Sequence, residues 1–169
     1  MHGYLNNKIF ILDDLLSATE CQNLIEFYEN TDQSFDYNGT FPMNIDLKDT
    51  FLRTVVGKID SAINSLIEEK IEIDWCQIVK WPCGSGQKLH FDTTSESTVF
   101  TSITYLNDGY QGGRTYIKDD IEIVSKIGRT VFFDGNFYLH GVTEVTDNVR
   151  YTLPIWYKRK EYSAQVVKW

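Results

Sequence analysis

The chain has 169 residues, 42% of them apolar and 14% aromatic, with 24 acidic against 16 basic side chains and a formal net charge of −8. That is enough apolar material for the core of one domain, and it excludes global disorder. No apolar run is long enough to span a membrane, and an acidic chain is poorly matched to the phosphate backbone, so membrane proteins and broad nucleic-acid binders are set aside. The N-terminus has no signal-peptide pattern. Cys21, Cys76 and Cys83 are odd in number and lack metal-ligand spacing. Free thiols in a reducing, cytoplasmic setting are expected.

In chain order, Lys8-Ile9-Phe10-Ile11-Leu12 reads as a short strand. Ser17-Ala18-Thr19-Glu20 is a capping-box pattern, opening a helix with Cys21, Leu24, Ile25 and Tyr28 on one face. The polar stretch 31–44, with Gly39 and Pro42, reads as a loop or weak hairpin. Its aromatics, Phe35, Tyr37 and Phe41, fit a lid and equally fit anchors of the loop to its own core. A second helix, about Leu47 to Glu69, carries Phe51, Val55, Ile59, Ile63 and Leu66 at helical spacing and is expected to pack on a sheet. From Ile71 onward the pattern turns to β-like runs, roughly 71–81, 87–92, 97–107, 113–118, 120–124, 129–134, 137–145 and 149–158. Gly, Asn and Asp punctuate them, as in a sandwich or barrel. The terminal stretch Ser163 to Trp169 is a candidate edge element, and His2 is given no role. No repeat or second domain is visible. The expectation is a single domain, 1–169, with helical support over about 1–70 and a β core over about 71–158.

The chemistry concentrates in His90-Phe91-Asp92, His140 and Arg150. Residues i and i+2 of a strand share a face, so His90 and Asp92 can grip one ion. Two histidines and a carboxylate form a facial triad that leaves coordination positions open, as a non-haem Fe(II) oxygenase requires. At neutral pH they supply neutral imidazoles and an ionised carboxylate. The plainer readings are a strand-edge Asp92 and a satisfied half-buried His140. Arg150 offers a guanidinium fork for the far carboxylate of a keto-diacid. The runs on either side of Thr146-Asp147-Asn148 read as one antiparallel hairpin, which would set His140 and Arg150 about 15 Å apart along one sheet at ~3.4 Å per residue. Arg150, Thr152, Pro154 and Trp156 share a face. Thr152 then adds a hydroxyl to the clamp, and Trp156 either walls a substrate channel or belongs to the core. Thr101, Ile103 and Tyr105 share a face of their own strand, and Thr115 and Val142 are placed in the same pocket.

Several motifs in order resemble the prolyl 4-hydroxylase superfamily of 2-oxoglutarate/Fe(II) dioxygenases. Gln77-Ile78-Val79-Lys80-Trp81-Pro82-Cys83-Gly84-Ser85-Gly86-Gln87-Lys88-Leu89-His90-Phe91-Asp92 is similar to that family's strand, Gly-rich turn and His-x-Asp. Thr104-Tyr105-Leu106-Asn107, then Gly112-Gly113-Arg114-Thr115, resembles its YLN…GG-x-T stretch. Gly128-Arg129-Thr130-Val131-Phe132-Phe133 resembles the strand before the distal histidine. The likeness runs from about Trp75 to Tyr157. It implies a double-stranded β-helix, or jelly-roll, core with the N-terminal α-helices packed on one sheet. It also implies Fe(II), 2-oxoglutarate and O₂, with ascorbate as an accessory reductant and succinate and CO₂ as co-products.

The resemblance carries onto Tyr105 a phenol that donates to the 2-oxoglutarate carboxylate, beside the alternative of a core tyrosine. It places Arg114 and Arg129 near a substrate mouth, beside the alternative of surface arginines. Two departures matter. Arginine at 150 replaces the lysine usual in collagen-type enzymes, leaning toward the oxygen-sensor type and its bacterial relatives. Trp81 stands where those enzymes often have tyrosine, beside the 2-oxoglutarate site or the substrate mouth. The substrate implied is a proline-containing peptide, bound over a mouth framed by Trp81, Trp156 and the 31–44 segment with Tyr37. The alternatives are a free amino acid, another peptide side chain or a small metabolite. A nucleic-acid demethylase would carry a second arginine where Trp156 stands. A non-catalytic jelly-roll binding module would be expected to have lost part of the triad or Arg150.

Overall fold

A computed structural model describes residues 9–92, 98–118 and 121–160. In chain order it has β1 (Phe10–Leu12), α1 (Ala18–Glu29), β2 (Phe41–Asn44), α2 (Thr50–Asn64), β3 (Ile71–Trp81), β4 (Gln87–His90), β5 (Thr98–Tyr105) and β6 (Gln111–Gly112). There follow β7 (Thr115–Ile117), β8 (Ile121–Ile123), β9 (Thr130–Asp134), β10 (His140–Val142), β11 (Val145–Asp147) and β12 (Arg150–Arg159). The larger sheet runs β1-β9-β5-β12-β3-β2, the smaller β4-β10-β7-β8, and β11 pairs with β6. Among the described residues every strand pairing is antiparallel. The expectation of a mainly β chain is met, in a form consistent with a jelly-roll core. Lys8, Ser97, Asp120, the Ser163 to Trp169 stretch and His2 lie outside the described residues.

Alternation sorts the large sheet's two faces. On β12, Tyr151, Leu153, Ile155 and Tyr157 join a cluster with Ile78, Phe100 and Phe132 of neighbouring strands and Leu24, Leu52, Val55, Ile59 and Ile63 of the two helices. The other face meets the smaller sheet. Ile103, Tyr105, Val131 and Phe133 pack with Ile117 and Ile123, and Val79 and Trp81 with Val142 and Val145. Strand β5 is therefore buried along its whole length, as a strand covered on both faces must be.

The capping box of α1 forms as the sequence indicates, with Glu20 N–H donating to Ser17 Oγ and Ser17 N–H donating to Glu20 Oε2. The second helix is shorter than its apolar period. It starts after Asp49, whose side chain accepts from Leu52 N–H at 2.9 Å. It ends where Ser65 Oγ donates to Ala62 O. Leu66 and Ile67 continue the periodicity because the turn that follows still packs on the same core. In the 31–44 stretch, Asn38 (φ 53°) and Gly39 (φ 80°) turn a small hairpin closed by Tyr37 and Thr40, the conformation a two-residue hairpin turn favours. Its second arm becomes β2, an edge strand on β3.

The hairpin expected across Thr146-Asp147-Asn148 is not there. β10 pairs with β4 and β7 in the smaller sheet, whereas β12 pairs with β3 and β5 in the larger. Asn148 does turn the chain, at φ 59°. The chain reaches that turn through β11, which belongs to neither of these sheets, and so changes sheets. Turn chemistry predicts a reversal but not the partner. His140 and Arg150 thus face each other across two sheets rather than along one.

Candidate metal centre and anion pocket

Strands β4 and β10 pair with His90 opposite His140, which brings their rings to 4.4 Å between centroids. Asp92 lies two residues past His90, its N–H donating to Gly135 O at 3.0 Å. Its Oδ1 is 3.5 Å from His90 Nε2 and its Oδ2 is 3.3 Å from His140 Nε2. One ligand atom from each of the three residues falls within a 4.8 Å group. Ligands of an octahedral ion sit at right angles at about 2.1 Å, hence about 3 Å apart, so the donors fit a facial triad with little movement. Both Nδ1 atoms are tied to carbonyls two residues upstream, His90 to Lys88 and His140 to Tyr138, each at 2.9 Å. A proton on Nδ1 satisfies those carbonyls and leaves both Nε2 lone pairs aimed at the shared centre.

Asp92 and His140 are buried and His90 is half-buried. Burial works to raise the Asp92 pKa, but hydrogen bonds from His140 and His90 outweigh it and hold the carboxyl well below its usual range. Burial works to lower His90, and its bond to Asp92 reverses that, leaving it raised. Thr101 Oγ1 donates to Asp92 Oδ2 at 2.5 Å, so the structure sets Thr101 against the carboxylate of the candidate triad rather than in the Arg150 pocket. Gly135 completes this support. A Cβ there would stand 2.5 Å from Thr101 Oγ1 and 3.0 Å from Asp92 Oδ2. The sequence reading missed Gly135, because in Asp134-Gly135-Asn136 a glycine signals only a turn.

A second cluster lies along the strands. Arg150 is 1% exposed. Its Nη2 donates to Thr115 Oγ1 at 3.1 Å, while Nε and Nη1 are buried without a partner. Its guanidinium sits 4.6 Å from the Trp81 ring and 5.7 Å from the Tyr105 ring. Tyr105 donates its hydroxyl to Thr115 Oγ1 at 2.7 Å, and Trp81 Nε1 donates to Thr152 Oγ1 at 3.1 Å. Burial pushes the Tyr105 phenol up to about 12, with Arg150 opposing, so it stays a proton donor. Among the described residues no acidic side chain pairs with Arg150. A buried unpaired guanidinium is costly, and two idle donors define a place for an anion. Register sets the span to the metal. Thr115 pairs with Val142 and Ile117 with His140, so the anion pocket is two residues, about 7 Å, along the sheet from the His140 row. That is close to the reach of a five-carbon diacid.

Ile103 belongs to the cluster between the sheets and Val142 to that beneath Trp81. Trp156 is half-buried and stacks on Trp75 at 3.8 Å and 8°, with Thr101 its partner on β5. Trp81 pairs with Arg150 and Trp75 with Trp156, so Trp81 and Trp156 stand six residues, about 20 Å, apart. Trp81, 8% exposed, thus walls the anion pocket and does not frame the same opening as Trp156. Arg129 is not brought to the triad. Its guanidinium holds Asp13 at 2.6 and 3.1 Å and Val124 O at 2.7 Å. Arg114 pairs at the surface with Glu122 at 2.8 Å. Tyr37 is exposed on the hairpin, toward the Trp81 end of β3.

No protein-family model matches the sequence, and no curated protein matches it. Solved structures do match the fold. A prolyl-4-hydroxylase from Pseudomonas putida superposes with a TM-score of 0.78 at 20% identity, over 92% of this chain and 94% of that one. A prolyl hydroxylase from Trichoplax adhaerens, in complex with a hypoxia inducible factor peptide fragment, gives 0.77 at 18%, over 96% and 89%. The viral collagen prolyl hydroxylase of Paramecium Bursaria Chlorella virus-1, as a 2-oxoglutarate complex, gives 0.76 at 17%, over 91% and 97%. At these identities the likeness is one of fold, spanning nearly the whole of each chain.

Proposed function

We propose that the protein is an Fe(II)- and 2-oxoglutarate-dependent dioxygenase that hydroxylates an unactivated C–H bond, with peptidyl proline as its first candidate substrate. The observation that carries this reading is the buried Arg150, with two idle nitrogens, beside the His90–Asp92–His140 triad. A triad alone suits many metal sites, and a buried arginine alone suits many anions. Together they call for one ligand with a carboxylate at the far end and metal-binding oxygens at the near end, which 2-oxoglutarate has. The neighbour solved as a 2-oxoglutarate complex supports the same choice.

A metal held by His90, Asp92 and His140 would supply the oxidative coupling, in which 2-oxoglutarate and O₂ give succinate and CO₂ as one oxygen atom enters the substrate C–H bond. The chain's own residues do the rest. His90, Asp92 and His140 offer three donors on one side and leave the other side open. Arg150, Thr115 and Tyr105 hold the distal carboxylate. Ile103, Ile117 and Val142 line the space between the sheets with apolar surface and exclude water. We read residues 1–169 as one domain whose two helices support the outer face of the larger sheet; the core cluster shared by helices and strands among the described residues supports this reading. The three unpaired cysteines support a cytoplasmic setting.

For the substrate, the half-exposed Trp75–Trp156 stack lies in the row of Thr101, beside the metal ligands. A proline-rich segment is already extended and loses little entropy on docking against such rings. The exposed Phe35 and Tyr37 on the hairpin are a further contact we assign to an extended peptide. The neighbour in complex with a peptide fragment supports a peptide substrate, and the net charge of −8 favours a cationic one over nucleic acid.

The test is to load the protein with Fe(II) anaerobically, add 2-oxoglutarate, O₂ and a panel of proline peptides, and read succinate and a mass gain of one oxygen. His140→Ala serves as the control that must lose both. Oxygen appearing in a free amino acid or metabolite instead would overturn the peptide and keep the dioxygenase. No succinate with any substrate would overturn the dioxygenase.

A further inference from the structure

Tyr110 has no part in the roles described so far. It lies in the segment between β5 and β6, yet it is only 6% exposed. Its hydroxyl is buried and makes no hydrogen bond. A phenol in that state has given up water without a replacement, and phenylalanine would pack there with less loss. An idle buried hydroxyl is therefore a mark of something it waits for.

Gly113, at φ +58°, shows what lies beside it. A Cβ on Gly113 would stand 2.9 Å from Val145 Cγ2, 3.0 Å from Arg150 Cδ and 3.2 Å from Tyr110 Cε2. The missing side chain thus leaves the room in which the arginine stem and the tyrosine ring converge. Cε2 neighbours the carbon that bears the hydroxyl, and Cδ bears Nε. Both of those polar atoms are buried without a partner, as is Arg150 Nη1. The Tyr105 phenol, raised chiefly by burial, is raised further by Tyr110, which sets the two rings in one neighbourhood. The tyrosine ring and the arginine stem thus flank one gap, and the phenol and the guanidinium each carry a donor without an acceptor, which a carboxylate with its two oxygens supplies.

We propose that Tyr110 is a further binding residue of the dicarboxylate pocket. Its hydroxyl donates to the distal carboxylate that Arg150 pairs with, and so favours a 2-oxo diacid over a 2-oxo acid with an uncharged end. This rests on the co-substrate reading above. The experiment is calorimetric binding to the full chain, loaded with Mn(II) under argon so that no turnover occurs. The ligands are 2-oxoglutarate and 2-oxobutanoate, which keeps the keto-acid end and lacks the distal carboxylate.

Tyr110→Phe keeps the ring. It is expected to weaken 2-oxoglutarate about tenfold or more, the loss of one hydrogen bond to a charged group. Binding of 2-oxobutanoate should stay within about twofold, which also shows that the variant is folded. Unchanged 2-oxoglutarate binding, or an equal loss for both ligands, would overturn the role of Tyr110. Arg150→Ala separates the two readings. If it weakens 2-oxoglutarate while Tyr110→Phe does not, only the tyrosine's role falls. If neither variant weakens it, the diacid pocket falls as well.

Discussion

Each ligand of the triad contributes a single donor atom, so the strength of the site depends on how firmly those atoms are held. Asp92 is held by Thr101 through a 2.5 Å hydrogen bond and is backed by the bare backbone of Gly135. Removing an outer partner of this kind costs about 10- to 100-fold in metal affinity. Thr101→Val, which keeps the shape and removes the donor, is expected to fall in that range when Mn(II) binding is titrated. Gly135→Ala should do at least as much harm, because its methyl group enters the space of the same bond. Native affinity in both variants would mean that Asp92 is fixed by its backbone alone. Protons compete for the same atoms. The His90 pKa is raised above 6.5, so it takes up its proton at a higher pH than a free histidine. Asp92 is lowered and stays ionised across the same interval. Apparent metal affinity should therefore hold at alkaline pH. It should fall as the pH drops through the His90 pKa, which lies above 6.5, by about tenfold per unit for the proton that His90 must release on binding. A flat profile from pH 8 to pH 5.5 would exclude His90 as a ligand.

The elements divide the labour between support and site. Helix α2 places Ile59, fully buried, in the cluster on the outer face of the larger sheet. The clusters that border the pocket are separate from it. Ile59→Ala should cost about 2–5 kcal/mol of stability through the cavity it leaves. The folded fraction should bind Mn(II) and 2-oxoglutarate as the native chain does, with denaturant unfolding and calorimetry as the paired measurements. A matching loss of affinity would show that the two faces are coupled through the sheet. The same division explains what could be read from the sequence. Strand β3 is bounded as expected because both its ends are marked by a change of pattern, and the Ser17–Glu20 box because its bonds are local. The apolar period runs past α2 because it reports burial, and Ile67 is buried and Leu66 half-buried without being helical. β10 and β12 do not pair with each other because each lies between strands distant in sequence, β4 and β7 for one and β5 and β3 for the other, and nothing near Asn148 carries that information. Parity found Arg150 and Thr152 on one face. It also grouped Thr101 with Tyr105, although they stand four residues apart and serve different ends of the pocket. Gly135 and Tyr110 were not legible at all, since their meaning depends on atoms distant in sequence.

At the scale of the whole molecule, the pocket is a seam between two sheets. The candidate triad comes from β4, its following residues and β10, while Arg150 and Tyr105 come from the larger sheet. A ligand that reaches from one to the other ties the sheets together, and the protein without it carries a buried guanidinium with two idle nitrogens. Function and stability are therefore opposed at Arg150. A buried charge lacking its partner is a burden that a well-packed apolar side chain does not impose. Methionine keeps much of the stem, which passes Gly113, and removes the charge held between Trp81 and Tyr105. Arg150→Met is thus expected to leave the metal-free, ligand-free protein as stable as the native chain or more so. The native chain in Mn(II) with 2-oxoglutarate at a hundred times its dissociation constant should gain about 2.7 kcal/mol. For a chain of this size that amounts to roughly 5–10 °C in Tm. The variant should gain little from 2-oxoglutarate while still responding to the metal. Thermal unfolding of both proteins, with and without each ligand, checks all three points. A ligand-free Arg150→Met protein destabilised by several kcal/mol would show that the guanidinium is a structural strut rather than a site held ready for an anion.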